Sequence, residues 1–479
     1  MPTACNPQAP SDVRAAYGVR FAQDFRCSSM SFALFIAYIL CTYLRPFEVL
    51  TPDLIAFRPM LVLLAISLAA ASARAMTRKE VGGRPVHFWL LAMLVAAIGL
   101  SQVANHWAGG ALVAIGDFSA SAMLMVLCLL NLTSIKRLQV TCIAIVCSIV
   151  FLAGLGTYSW HTGYMADELV LRQSVDEESV DPALQGAEVS DIPAQDDSGR
   201  YFLRLRSLGF LNDPNDFAQV MVMVLPLLWW AIVPGRLLRN LLLVAAPGAL
   251  LGYAIYLTHS RGAFLGLAAI LLLIAHRLLG TARTIVLVVL AVGVVSAISF
   301  GGRELSTKEE SAAQRIDAWY AGWTMLKSQP LLGVGYGNFT ENHYLTAHNS
   351  FVLCFAELGL IGYFAWLGLI VLTFEGLSRA VRYAPQDSPE RKLAVMLRAS
   401  LTGYMACAWF LSRSYQPGLY VVLALGIAAW MCARNLLGPA AQQPPIEPIP
   451  WAKTTLVSIV ASIAAVYSFI AWQQATGGS

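Results

Sequence analysis

The sequence predicts an all-α integral membrane protein that crosses a bilayer about a dozen times. Three observations carry that prediction: an apolar composition, apolar runs of membrane-spanning length, and basic residues gathered on one side of those runs. Of 479 residues, 57% are hydrophobic and 13% charged, and the mean hydropathy is +0.63. A soluble domain is far more polar. A bilayer core about 30 Å thick takes roughly 20 apolar residues as helix to cross. Runs of that kind recur at 31–45, 57–74, 86–104, 111–130, 138–158, 216–233, 240–257, 262–275, 284–300, 349–374, 393–411, 415–432 and 454–472. They amount to 12 or 13 spans, with 31–45 and 262–275 the short ones.

Loop charge orients the chain. With residues 1–30 in the cytosol, one set of short loops holds sixteen basic residues, among them Arg74, Lys136, Arg137, Arg236, Arg277, Arg379, Arg391 and Lys453. The opposite short loops hold four: Arg45, Arg58, Arg261 and Arg413. The bias is consistent along the chain and puts two long segments, 159–215 and 301–348, on the outer face. The organisation that follows is a cytosolic tail (1–30), an N-terminal bundle (31–158), an acidic outer loop (159–215), further spans (216–300), an outer capping segment (301–348) and C-terminal spans (349–479). No cleavable signal peptide is visible, because the first apolar run begins near Met30. The first span is therefore expected to act as the insertion signal.

The nine cysteines imply no disulfide framework, since seven lie in apolar runs and Cys5 and Cys27 in the tail. The net charge of +4 averages a basic inner face and an acidic outer loop, and nothing suggests nucleic-acid binding. Residues 159–200 carry ten acidic residues, including Asp176, Glu177 and Glu178, and read as a solvated loop. In the second outer segment, Ile316, Trp319, Tyr320, Trp323 and Leu326 recur at helical spacing. Pro330 ends that helix, and the Gly333–Gly337 turn reverses the chain. The helix is expected to cap a cleft or lie on lipid headgroups, with the glycine turn as its hinge.

Polar chemistry concentrates at three outer positions. Just before the run at 216–233 stands Arg204-Leu-Arg206-Ser-Leu-Gly209, followed by Asn212-Asp-Pro-Asn215. Asp213 before Pro214 reads as a helix N-cap with proline at the first helical position. Arg206 has no such local duty; a headgroup contact and a functional role are both open. The second position is the tight turn His259-Ser260-Arg261-Gly262. An arginine at that depth needs a partner, in the protein or in lipid phosphate. The third is His348-Asn349-Ser350-Phe351, where a histidine at a helix start is either a cap or a base.

Together these pieces resemble the bacterial O-antigen ligase and polymerase family of polytopic glycan transferases. The resemblance covers about 200 to 375. It rests on Arg206-x-x-Gly209 with Asn212-Asp-Pro-Asn215-x-Phe217-Ala218, Ser260-Arg261-Gly262-Ala263, Arg315 with Trp319, Pro330-Leu-Leu-Gly333-Val-Gly335-x-Gly337-Asn338-Phe339, and His348-Asn349-Ser350-Phe351 with Glu357-Leu-Gly359-Leu360. It implies a bacterial inner-membrane enzyme, active at the periplasmic face, that moves a glycan from undecaprenyl pyrophosphate to a hydroxyl. The acceptor would be lipid A–core or a growing glycan. It further implies that Arg206 and Arg261 bind pyrophosphate and that His348 is essential. Arg204, Arg315 and Asn349 are added as substrate-binding candidates. No cofactor or metal is expected.

The chemistry agrees with that implication. A lipid pyrophosphate is a weak base and needs no general acid on leaving, but it needs fixed positive charge, which guanidinium supplies bidentately. The attacking hydroxyl needs a base, and histidine suits neutral pH. Single displacement at the anomeric carbon inverts configuration. Other readings stay open: protein O-glycosylation, a metal-dependent transferase using Glu48, Asp53 or Asp117, and a flippase. For the last, Glu357 and Arg398 are the polar residues inside apolar runs, expected to pair with each other across helices. Glu48 and Asp53 are expected to pair with Arg45 and Arg58 or to sit in water, and Asp117 to cap an interfacial helix end.

Overall fold

The computed structural model describes residues 30–77, 86–173, 202–284, 306–437 and 450–476. The tail before Met30, the core of the acidic loop (174–201) and nearly all of the run at 284–300 lie outside them. Each apolar run within the described residues forms helix. In chain order these are α1 (Met30–Leu44), α2 (Pro59–Thr77), α3 (Val86–Ala104), α4 (Ala108–Asn131) and α5 (Ile135–Thr162). A two-stranded antiparallel ribbon follows, β1 (Val170–Gln173) with β2 (Phe202–Leu205). Then come α6 (Pro214–Val224), α7 (Ala246–Leu257), α8 (Arg261–Leu279), α9 (Ser306–Ser328), α10 (Ser350–Tyr383), α11 (Pro389–Ala408), α12 (Pro417–Leu437) and α13 (Trp451–Thr476). Among the described residues nine helices are long and apolar enough to cross a membrane.

Capping sets several boundaries. Ser134 accepts from Arg137 N at the start of α5, and Gly163, with φ +78°, closes its end. The Asp213–Pro214 signal works as expected: the Asp213 carboxylate accepts from Asn215 N at 2.7 Å, with Pro214 opening α6. The ribbon is the one departure from an all-helical expectation, and it places Arg204 opposite Leu171.

The long helix α10 is the core of the bundle. It packs against α3, α9, α11, α12 and α13, and 78% of its most apolar stretch is buried, against 17% for α2 and α8 at the periphery. It is broken at Gly359 (φ 59°, ψ −166°). Into that break docks the Pro330–Gly335 segment. Val334 N and Gly335 N donate to Ala356 O and Glu357 O at 3.0 Å, while Leu360 N donates to Pro330 O at 2.8 Å. Neither glycine at the contact tolerates a side chain. A Cβ on Gly333 would lie 2.5 Å from Ala356 O, and one on Gly359 would lie 2.5 Å from Leu332 N. From the other side, Asn105 Nδ2 donates to Gly333 O (2.9 Å) and Gln102 Nε2 to Tyr336 O (2.5 Å). The glycine turn is thus a plug held on two sides, not the hinge expected from its composition.

Two other expectations change. Glu357 and Arg398 do not pair. Glu357 Oε1 faces Phe339 N at 3.4 Å, whereas the charge acting on Arg398 is that of Arg277. Asp117 lies exposed within α4, nine residues past its start, rather than capping it. The Arg45–Glu48 pair forms as expected.

Candidate functional site

The site grows from the end of β2. Arg206 N extends the ribbon by donating to Leu169 O at 2.9 Å. The Arg206 side chain turns back on the same strap. Its Nε donates to Glu168 O (2.9 Å) and Nη2 to Asp167 O (2.7 Å). One edge of the guanidinium is therefore held by backbone carbonyls, which leaves Nη1 and the outer hydrogen of Nη2 to meet a ligand. Burial pulls this group below its ordinary pKa, and the nearby Glu168 carboxylate opposes that.

Two residues earlier on the strand, Arg204 has a different duty. Its Nε donates to Thr258 O at 3.0 Å and its Nη2 to Asn215 Oδ1 at 2.9 Å. It ties β2 and the start of α6 to the turn that carries Arg261. Arg204, a substrate-binding candidate of the sequence, holds these elements together. Arg261 opens α8 exposed to the outside. Before it, His259 adopts φ +51°, a conformation disfavoured for a side chain with Cβ. Burial lowers the His259 pKa, with a further push from the Arg204 charge.

His348 also has left-handed backbone, at φ +46°. Such strain costs on the order of 1–3 kcal/mol and collects at functional sites. Both neighbours of His348 are anchored. Trp319 Nε1 donates to Ala347 O at 3.0 Å. Asn349, fully buried, caps α10 by accepting from Phe351 N (2.8 Å) and Val352 N (3.2 Å). Asn349 Oδ1 therefore serves the helix, and its Nδ2 is buried without a hydrogen-bond partner. The outer helix α9 packs against α10 and α13. The Trp319 ring meets Trp409 and Phe469, with centroids 6.2 and 5.9 Å apart, and Trp323 meets Tyr467 at 5.7 Å. Arg315 stands one turn before Trp319 and so on the same face of α9.

Of the rival histidines, His343 is occupied at both ring nitrogens. Its Nδ1 lies 3.1 Å from Leu345 N and 3.0 Å from Leu345 O, and its Nε2 lies 3.2 Å from Asp317 Oδ2.

The arginine that completes the join between the three motifs was not among the site candidates of the sequence. Arg413, in the loop between α11 and α12, donates through Nε to Asp216 Oδ1 at 2.6 Å and has Nη2 3.4 Å from Asp213. Its backbone N donates to Ser350 Oγ at 3.0 Å, two residues beyond His348. Ser414 Oγ donates to Ser350 O at 2.6 Å. Burial alone would lower the Arg413 pKa, but Asp216 and Asp213 outweigh it and hold the guanidinium above its ordinary value. A continuous chain of polar contacts thus runs from the Arg261 turn through Arg204, Asn215, Asp213 and Arg413 to the His348 helix start. The available signal was an arginine in Ser412-Arg413-Ser414 between two apolar runs.

Arg45 was read as a loop charge and a partner of Glu48, not as a site residue. Its guanidinium lies against the α-carbon of Gly209, where any Cβ would collide with it. Gly209 also has φ +60°, and that backbone conformation, more than the movable guanidinium, explains the glycine three residues after Arg206.

Among the described residues no three His, Cys, Asp or Glu side chains group at metal-binding distance. What the site offers is the Arg206 guanidinium held by backbone carbonyls, an exposed Arg261, and two histidines, His259 and His348, with left-handed backbone.

No curated protein matches the chain. Residues 246–367 match the family model described as O-antigen ligase. That stretch holds the Arg261 turn, α9, the glycine plug, His348 and the break at Gly359. Over that stretch, about a quarter of its length, the chain is similar to the O-antigen ligase family, which supports a membrane glycan-transferase role.

Proposed function

We propose that the protein transfers a glycan from undecaprenyl pyrophosphate to an acceptor hydroxyl at the periplasmic face of the inner membrane, without a metal and with inversion. The acceptor is lipid A–core or a growing glycan. The polar chain linking Thr258, Arg204, Asp213, Arg413 and Ser350 carries this reading, because it gathers the three motif stretches at one place. In the proposed step, Arg206 and Arg261 hold the pyrophosphate as it gains charge on leaving the anomeric carbon. A guanidinium fixed before the reaction needs no reorganisation when that charge develops. His348 takes the proton of the attacking hydroxyl. Its anchored neighbours Ala347 and Asn349 limit how far the ring can wander. α9 covers the cleft and excludes water, which strengthens the phosphate contacts and protects the donor from hydrolysis.

The test is reconstitution of the full chain with labelled lipid-linked glycan and acceptor. Transfer with stoichiometric release of undecaprenyl pyrophosphate, unaffected by chelator, is expected. Movement of intact donor across the bilayer without bond cleavage, or loss of activity on chelation, would overturn the reading.

A further inference from the structure

At the far end of α8 from Arg261 lies a second cationic site. The antiparallel helices α8 and α11 approach closely: a Cβ on Gly266 would lie 3.0 Å from Gly403 O, and one on Gly403 would lie 2.6 Å from Ile270 Cδ1. Arg277 lies seven residues along α8 from Ile270, and Arg398 five residues back along α11 from Gly403. The register therefore brings the two arginines within about one turn of each other along the groove.

Neither guanidinium has a carboxylate within ion-pair distance among the described residues. Arg398 is partly buried on a helix inside the bundle, and its Nε is buried with no hydrogen-bond partner. The charge acting on it is the like charge of Arg277. The acid on the same helix, Glu390, is about two turns away and acts on Cys432 of α12 instead. Arg398 is half withdrawn from water and Arg277 is exposed beside it; two such like charges repel unless an anion lies between them. Next to Arg277, α8 exposes Leu271, Leu272, Leu278 and Leu279, an apolar wall suited to acyl chains.

We infer that Arg277 and Arg398 hold the phosphate of an anionic phospholipid in the groove between α8 and α11. A zwitterionic headgroup brings its own cation to a site that already has two, so the pair selects for net negative charge. The site is about 24 Å along α8 from Arg261, too far to share a ligand headgroup with it. It depends on the membrane-spanning fold and not on the glycan chemistry.

The test uses the purified full chain in detergent, titrated with phosphatidylglycerol or phosphatidylcholine and followed by native mass spectrometry. Wild type should retain phosphatidylglycerol in preference to phosphatidylcholine. Arg277→Gln and Arg398→Gln should each weaken that retention about tenfold, while Arg398→Lys, which keeps the charge, should weaken it less. Arg434→Gln, at the end of α12, should leave it unchanged. Equal retention in the glutamine variants, or no preference for the anionic lipid, would overturn the inference. Displacement of the lipid by millimolar inorganic phosphate would also overturn it, by making free phosphate the ligand. Because the readout is lipid binding, it stands apart from any result on glycan transfer.

Discussion

Arg413 and Asp216 meet at 2.6 Å although 197 residues separate them in the chain. Their contact joins the loop after α11 to the first turn of α6. Through its backbone N, Arg413 also reaches Ser350 at the start of α10, so one residue links the strap that carries Arg206 to the helix that follows His348. Removing Arg413 leaves Asp216, 6% exposed, as an unpaired buried carboxylate. Arg413→Ala should therefore cost on the order of 3 kcal/mol, seen as a lower thermal midpoint in detergent. Asp216→Asn in the same chain should recover part of the loss. Equal loss in single and double variants would show that the pair is not coupled.

The docking of Pro330–Gly335 into broken α10 gives a contrast between glycines. Gly359→Ala meets both a positive φ and the backbone of Leu331 and Leu332, and Gly333→Ala meets Ala356 and Glu357. Each should destabilise by about 2–4 kcal/mol, combining backbone strain with overpacking. Gly337 also has positive φ, at +79°, but open space around its α-carbon. Gly337→Ala should cost only about 1 kcal/mol. Limited proteolysis across 329–340 would rank the three.

The site residues should separate by the step they affect. His348→Ala should stop transfer and leave lipid-donor binding nearly intact, since a neutral imidazole contributes little to holding pyrophosphate. Arg206→Ala and Arg261→Ala should lose binding and rate together. Lysine should substitute worse at Arg206 than at Arg261, because Arg206 must also span the carbonyls of Asp167 and Glu168 with a planar edge. His259→Ala and His343→Ala should retain transfer. Wild-type transfer by His348→Ala, with loss in either of the others, would move the base elsewhere.

Trp319→Phe keeps the aromatic packing but deletes the donor to Ala347 O. An unsatisfied buried carbonyl costs about 1–3 kcal/mol, and here it adjoins the strained His348. The expected signature is a lower turnover with little change in apparent donor affinity. Arg315→Ala should reduce transfer as well if that side chain faces the donor beneath α9. Full activity would leave α9 a structural cover.

What the sequence determined by itself was everything local in the chain. The bilayer demands long apolar helices, so all the described runs were legible, as were the Asp213–Pro214 cap and the helix around Trp319. The three motif stretches were legible too, as polar groups in turns between spans. Only the tertiary structure decided what those groups do. Arg204 turned out to brace Thr258 and Asn215, Asn349 to cap α10, and the glycine turn to plug a broken helix. Arg413 and Arg45 entered the site only through helix packing. The physical reason is that apolar periodicity sets where a helix lies but not its register against another. A hydrogen bond, by contrast, needs two groups about 3 Å apart, and that distance depends on the register.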